Sequence, residues 1–163
     1  MTKRIFLLAL ALLTLAACRN DELISESETE ITGGKTESGN ISGLYVLNEG
    51  NMGSNKATLD FLDLASETGS PVYHRNVYAA SNPNEELGDV GNDVKVYGSK
   101  LWIVVNCSNK VEVLNAYTCK KQAKISIPNC RSVCFSGPYA YVSAYVAPVA
   151  IRPDAEVGAV YKI

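Results

Sequence analysis

Hydrophobic and polar positions divide this chain into three stretches with different rhythms. Residues 5 to 15 are an almost unbroken apolar run, interrupted by Thr14. From Cys18 to Ser42 large apolar residues are sparse and Ser, Glu, Thr and Gly dominate. From Gly43 onward apolar and polar residues alternate in short segments rich in β-branched and aromatic side chains, the period-2 pattern of half-buried strands. It predicts strands at Leu44–Leu47, Thr58–Leu62, Leu101–Val105, Val111–Leu114, Gln122–Ile127, Arg131–Phe135 and Ala140–Ala144, separated by Gly, Asn, Pro and Ser turns. No segment after residue 17 carries a convincing helical period, so the expected class is all-β.

The strands repeat. Residues 92–106 align without gaps on 131–145, pairing Val94 with Val133, Gly98 with Gly137 and Trp102 with Tyr141. A second match sets Leu59-Asp60-Phe61-Leu62-Asp63 on Val111-Glu112-Val113-Leu114-Asn115: apolar, acid, apolar, Leu, Asx. A unit of about 40 residues with four short strands is the signature of a β-propeller blade. The middle blade then has its inner strand near Asn92–Tyr97, its second at Leu101–Val105, its third at Val111–Leu114 and its outer at Gln122–Ile127. The following blade has its inner strand at Arg131–Phe135 and its second at Ala140–Ala144, with the third beginning at Ala159. The preceding blade begins at its second strand, Leu44–Leu47, lacks an inner strand, and has its outer strand near Val72–Val77. Blade boundaries fall near 43–88, 89–128 and 129–163. That is about two and a half blades, where closed propellers have about four to eight. The expectation is a partial ring, completed by a longer product or by other chains.

The apolar run near the start follows Lys3 and Arg4 and ends in Leu15-Ala16-Ala17-Cys18. It is shorter than the roughly 20 residues a bilayer span needs. A basic start, a short apolar core and small residues at the cut make a secretory signal. The last four residues resemble the lipobox of bacterial lipoproteins, which implies cleavage before Cys18 and acylation of its thiol. Residues 1–17 are then a signal peptide and 18–42 a flexible acidic tether. The acidic segment that opens with Asp21-Glu22 resembles the surface-export signals of some lipoproteins, pointing to a lipid-anchored outer-membrane protein exposed at the cell surface.

Charge and cysteines exclude more than they propose. The 163 residues carry 15 basic and 17 acidic side chains, net −2, without a basic run, which argues against nucleic acid. Beyond Cys18 the cysteines are Cys107, Cys119, Cys130 and Cys134, with no CxxC and one histidine in the chain, so a metal site has little support. Cys130 and Cys134, four apart on one strand, are separated by roughly 13 Å, too far to bridge. Buried free thiols are the expected state of these four.

Several segments resemble the N-terminal part of YncE-like surface β-propeller lipoproteins. They are Gly43–Asn51, Asn55–Leu59, Leu87–Asp93, Trp102–Ser108 and Ile127–Arg131. The resemblance spans nearly everything after residue 42 and implies a seven-bladed ring. Some members of that family bind cobalamin at the cell surface and hand it to a TonB-dependent outer-membrane transporter, so cobalamin enters as a ligand and no cofactor is expected. Propellers bind ligands on the end formed by the loops into each inner strand and those joining second to third strands. Here these are Asn48–Lys56, Leu87–Asn92, Asn106–Asn109, Ile127–Arg131 and Tyr145–Val157. They present Asn51, Asp89, Asn92, Asn106, Arg131 and Tyr145, amide, charged and aromatic groups suited to the peripheral amides of a corrinoid. Turn chemistry alone also favours Asn and Asp at such places. Tyr45, Trp102 and Tyr141 are expected to pack blades rather than stack on ligand. A protein- or glycan-binding scaffold is the alternative. A lactonase or quinoprotein type of enzyme is less expected, because Glu49, Asp89 and Asp93 are few and turn-like.

Overall fold

The structure is a computed structural model that describes residues 41–145 and 158–163, together with the backbone of Thr29–Ile31. Cys18, the signal segment and most of the tether lie outside the described residues.

The chain is all-β. Among the described residues eleven strands form three antiparallel sheets. The first sheet contains β1 (Thr29–Ile31), β2 (Gly43–Asn48), β3 (Thr58–Asp63) and β4 (Val72–His74), in the order β1-β4-β3-β2. The second runs in sequence order through β5 (Gly91–Tyr97), β6 (Lys100–Val105), β7 (Lys110–Asn115) and β8 (Lys121–Ser126). The third holds β9 (Cys130–Ser136), β10 (Tyr139–Ala144) and β11 (Ala159–Lys162). Successive sheets pack face to face as propeller-like blades, and no closed barrel forms among the described residues.

Alternation explains the stacking. Along β6, Leu101, Ile103 and Val105 turn toward the first sheet and pack with Leu59, Leu87 and Tyr78. Trp102 and Val104 turn the other way, onto Val133, Ala140 and Val142 of the third sheet. The centre of the middle blade, β6 and β7, is therefore buried on both faces, and slipping the register of β6 by one residue would exchange the two sets. Inner and second strands are joined by two-residue turns with Gly98 (φ 61) and Gly137 (φ 56) in the first central position, as tight hairpins require. Tyr45 and Trp102 do pack blades: the Tyr45 hydroxyl donates to the Ala116 carbonyl at 2.7 Å, and Trp102 meets Phe135 edge-on at 5.5 Å.

The acid of the repeated five-residue motif is a buried brace. The carboxylate of Asp60 accepts from Asn48 Nδ2, the Tyr73 hydroxyl and the Asn76 backbone N–H, each at 2.7 Å. Its counterpart Glu112 has no exposed surface and accepts from Lys110 Nζ at 2.7 Å, with Lys121 Nζ at 3.7 Å.

Two expectations need correction. Thr29–Ile31, placed in the tether, forms β1 and pairs antiparallel with β4. Such a strand is held by backbone hydrogen bonds along an existing edge, so its polar sequence does not announce it. The outer strand expected at Val72–Val77 stops at His74, and Val77–Ser81 is a short helix, α1. Asn76 before it is left-handed (φ 48) and tied to Asp60, which turns the chain, while Tyr78 is fully buried between sheets. Tertiary burial decides this element; five residues are too few to carry a period of their own.

Candidate functional site

At one end of the blades the loop into β5 forms a hub. Gly88 carbonyl accepts from Ala57 N–H at 2.9 Å, and Gly91 N–H donates to Glu49 carbonyl at 3.0 Å, both across to the β2–β3 loop. On the other side Val90 and Asp89 carbonyls accept from Asn106 and Cys107 N–H at 2.8 and 3.1 Å. Two neighbouring loops thus clamp residues 88–91. Val90 is held there with φ 60, a conformation that a β-branched residue adopts at an energetic cost and that persists where the surroundings enforce it.

The clamp fixes Asp89. Its N–H donates to Ser108 Oγ at 2.8 Å, and its Oδ2 accepts the Gly53 N–H at 2.7 Å. Its Oδ1 is buried and meets no donor among the described residues. Three residues on, the β5–β6 pairing skips Asn92: Gly91 lies opposite Val105 and Asp93 opposite Val104. Asn92 is thus the extra residue of a β-bulge, and its Oδ1 is also buried without a donor among the described residues. The third sheet repeats the device. Cys130 pairs with Ala144 and Ser132 with Ser143, leaving Arg131 as the bulged residue of β9. Bulges re-aim side chains and gather beside functional sites. The two inner strands are cross-tied by Val133 N–H to Asp93 Oδ2 at 2.9 Å and Lys95 Nζ to Val133 carbonyl at 2.6 Å. An acceptor, Asn92, and a cation, Arg131, therefore occupy equivalent places on adjacent blades.

The other sequence candidates fare unequally. The Arg131 guanidinium lies 5.7 Å from the ring centre of Tyr145, so these two form one group. Arg131 and Tyr145 also border a cavity of about 520 Å³ with Ser143, Ala144 and Val160. Asn51 is exposed on the β2–β3 loop, where its carbonyl accepts from Ser54 N–H at 3.0 Å. Asn106 is chiefly a strut: its Nδ2 donates to Cys130 carbonyl at 2.8 Å and holds the start of β9. Residues 146–157 of the last loop lie outside the described residues. Sequence reasoning missed Gly53, Val90 and Ser108. Gly53 and Ser108 reach Asp89 from 36 and 19 residues away, and no local pattern marks such contacts.

All four described cysteines are free. Cys119 and Cys130 are buried as expected, whereas Cys107 and Cys134 are exposed, a correction for half of them. Burial pushes the thiols of Cys119 and Cys130 up, which keeps them protonated and unreactive. Alkylation of the native protein at neutral pH, read residue by residue by mass spectrometry, should modify Cys107 and Cys134 well before Cys119 and Cys130. Equal rates would contradict that burial.

No curated protein matches this sequence. Residues 42–145, more than half of the chain and all of both blade interfaces, match the family described as a domain of unknown function, DUF5074, and the chain belongs to that family.

Proposed function

We propose that this protein is a non-catalytic ligand-capture lipoprotein, a YncE-like propeller anchored in the outer membrane by lipid on Cys18 and exposed at the cell surface. Its ligand is a corrinoid such as cobalamin, passed on to a TonB-dependent transporter. The observation that carries the reading is the repeated bulge with Asn92 on one blade and Arg131 on the next, beside the pinned Asp89. Asp89 Oδ1 and Asn92 Oδ1 are buried acceptors lacking donors among the described residues. Leaving such a group unpaired costs about 1–3 kcal/mol, and because Asp89 and Asn92 are themselves only half-buried, a small rotation of either side chain would bring its oxygen to a ligand N–H. A corrinoid is rimmed by primary amides, each bringing two donors and a carbonyl, and the carbonyls suit Arg131.

Calorimetric titration of the acyl-free protein with cyanocobalamin should give saturable one-to-one binding. No binding at all would remove the corrinoid from the proposal. The anchor has its own test. Cys18→Ser should abolish metabolic labelling with palmitate and release the protein from the membrane fraction. Persistent labelling of that variant would place the lipid elsewhere.

A further inference from the structure

β9 is an edge strand, paired within its sheet with β10 alone. At Val133 that edge is capped from the neighbouring blade. The Val133 N–H donates to Asp93 Oδ2 at 2.9 Å, and the Val133 carbonyl accepts from Lys95 Nζ at 2.6 Å. Asp93 and Lys95 themselves lie 3.1 Å apart as an ion pair. Both backbone groups of one β9 residue are therefore held by one ion pair of β5. Strand alternation makes this possible: Asp93 and Lys95 turn toward the third sheet, while Val94 between them packs with the first.

The place of this latch singles it out. Asp93 directly follows the bulged Asn92, and Val133 stands two residues after the bulged Arg131. On the other side of Arg131, Asn106 Nδ2 of the second blade holds the Cys130 carbonyl at 2.8 Å. The bulge that carries Arg131 is thus gripped on both sides by the blade that carries Asn92. The repeat does not reproduce the latch: the gapless alignment sets Ser132 on Asp93 and Cys134 on Lys95. Neither of those residues supplies a comparable charge, so the pair belongs to this blade interface and not to the blade plan.

We infer that Asp93 and Lys95 are positioning residues that fix the separation between Asn92 and Arg131, so that both reach one ligand together. That they serve a ligand rests on the ligand-capture proposal, whereas the spacing rests on the contacts alone. A ligand held at two points keeps the benefit of both when their separation is set beforehand; ordering two loose blades on binding costs affinity. Asp93→Ala removes the acceptor of the Val133 N–H and the counter-ion of Lys95 at once. Asp93→Asn keeps a side-chain oxygen for the same N–H. Lys95→Met releases the Val133 carbonyl and leaves the N–H bond in place.

The test reads spacing and affinity separately in the full-length, acyl-free protein. For spacing, Asn92→Cys and Arg131→Cys are combined with Cys18→Ser, Cys107→Ser and Cys134→Ser, and the pair is cross-linked with bismaleimides of graded length. One length should dominate, and adding Asp93→Ala or Lys95→Met should spread the yield over several. For affinity, Asp93→Ala and Lys95→Met alone should each bind cyanocobalamin roughly tenfold more weakly by calorimetry, with Asp93→Asn within about twofold of wild type. Lys95 is exposed, so Lys95→Met keeps the test open if Asp93→Ala fails to fold. An unchanged length preference in the latch variants, or wild-type affinity in both of them, would overturn the inference. If wild type does not bind cyanocobalamin but the length preference is lost with the latch, the corrinoid falls and the spacing role is supported.

Discussion

Lys110→Met is expected to lower the unfolding free energy by about 3 kcal/mol, because it leaves the Glu112 carboxylate buried without its closest cation. Glu112 has no exposed surface, its Oε1 accepts from Lys110 at 2.7 Å, and Lys121 at 3.7 Å is too far to hydrogen-bond Oε2. Lys121 is also engaged with Glu85 on the blade linker, so it is divided between two carboxylates. Replacing both members, Lys110→Met with Glu112→Met, should restore most of the loss, since an apolar pair of similar volume needs no compensation in the interior. Urea unfolding of the wild type, the two single variants and the double variant measures the coupling. Singles within about 0.5 kcal/mol of wild type would show that the carboxylate finds another donor.

Gly88→Ala is expected to have the largest effect on ligand capture of any change outside the ligand groups themselves. Gly88 sits at φ +125, and a methyl group there would meet Ser108 Oγ at 2.5 Å and Val105 Cγ1 at 2.9 Å. The backbone conformation alone costs about 1–3 kcal/mol for a residue with a side chain. The clash also displaces Ser108, whose hydroxyl accepts the Asp89 N–H, and so disturbs the clamp on Asp89. Affinity for the corrinoid should fall by at least roughly tenfold. Ser108→Ala separates the two causes: it removes one hydrogen bond, worth about 1 kcal/mol, without straining the backbone. If Gly88→Ala binds like wild type, the hub has no part in capture.

Most of the fold was readable because a sheet buried on both faces records itself in the chain. Leu101 to Val105 is apolar throughout, and its repeat in Ala140 to Ala144 shows that two blades share one plan. The parts that were not readable are those made by contact. Thr29–Ile31 becomes a strand by borrowing the edge of β4, and α1 forms because Tyr78 fills a space between sheets. The site divides in the same way. Asn92 and Arg131 could be paired from the gapless repeat, though the bulge that distinguishes them appears in the strand register alone. Asn106 carries the right chemistry in the right loop, yet its amide is committed to the Cys130 carbonyl. The positioning of Asp89 depends on Gly53 and Ser108, brought from other loops by the stacking itself.

Calorimetric titration of the Asn92→Ala, Arg131→Ala double variant with cyanocobalamin, beside the wild type, bears most directly on the ligand-capture proposal. Both residues are only partly buried or exposed, so the variant should unfold at the wild-type midpoint. One-to-one binding by the wild type and a loss of about 100-fold in the variant are expected, as two polar contacts of about 1.5 kcal/mol each disappear. Equal affinity in the two proteins, or no binding by the wild type, would contradict a corrinoid site at the repeated bulge.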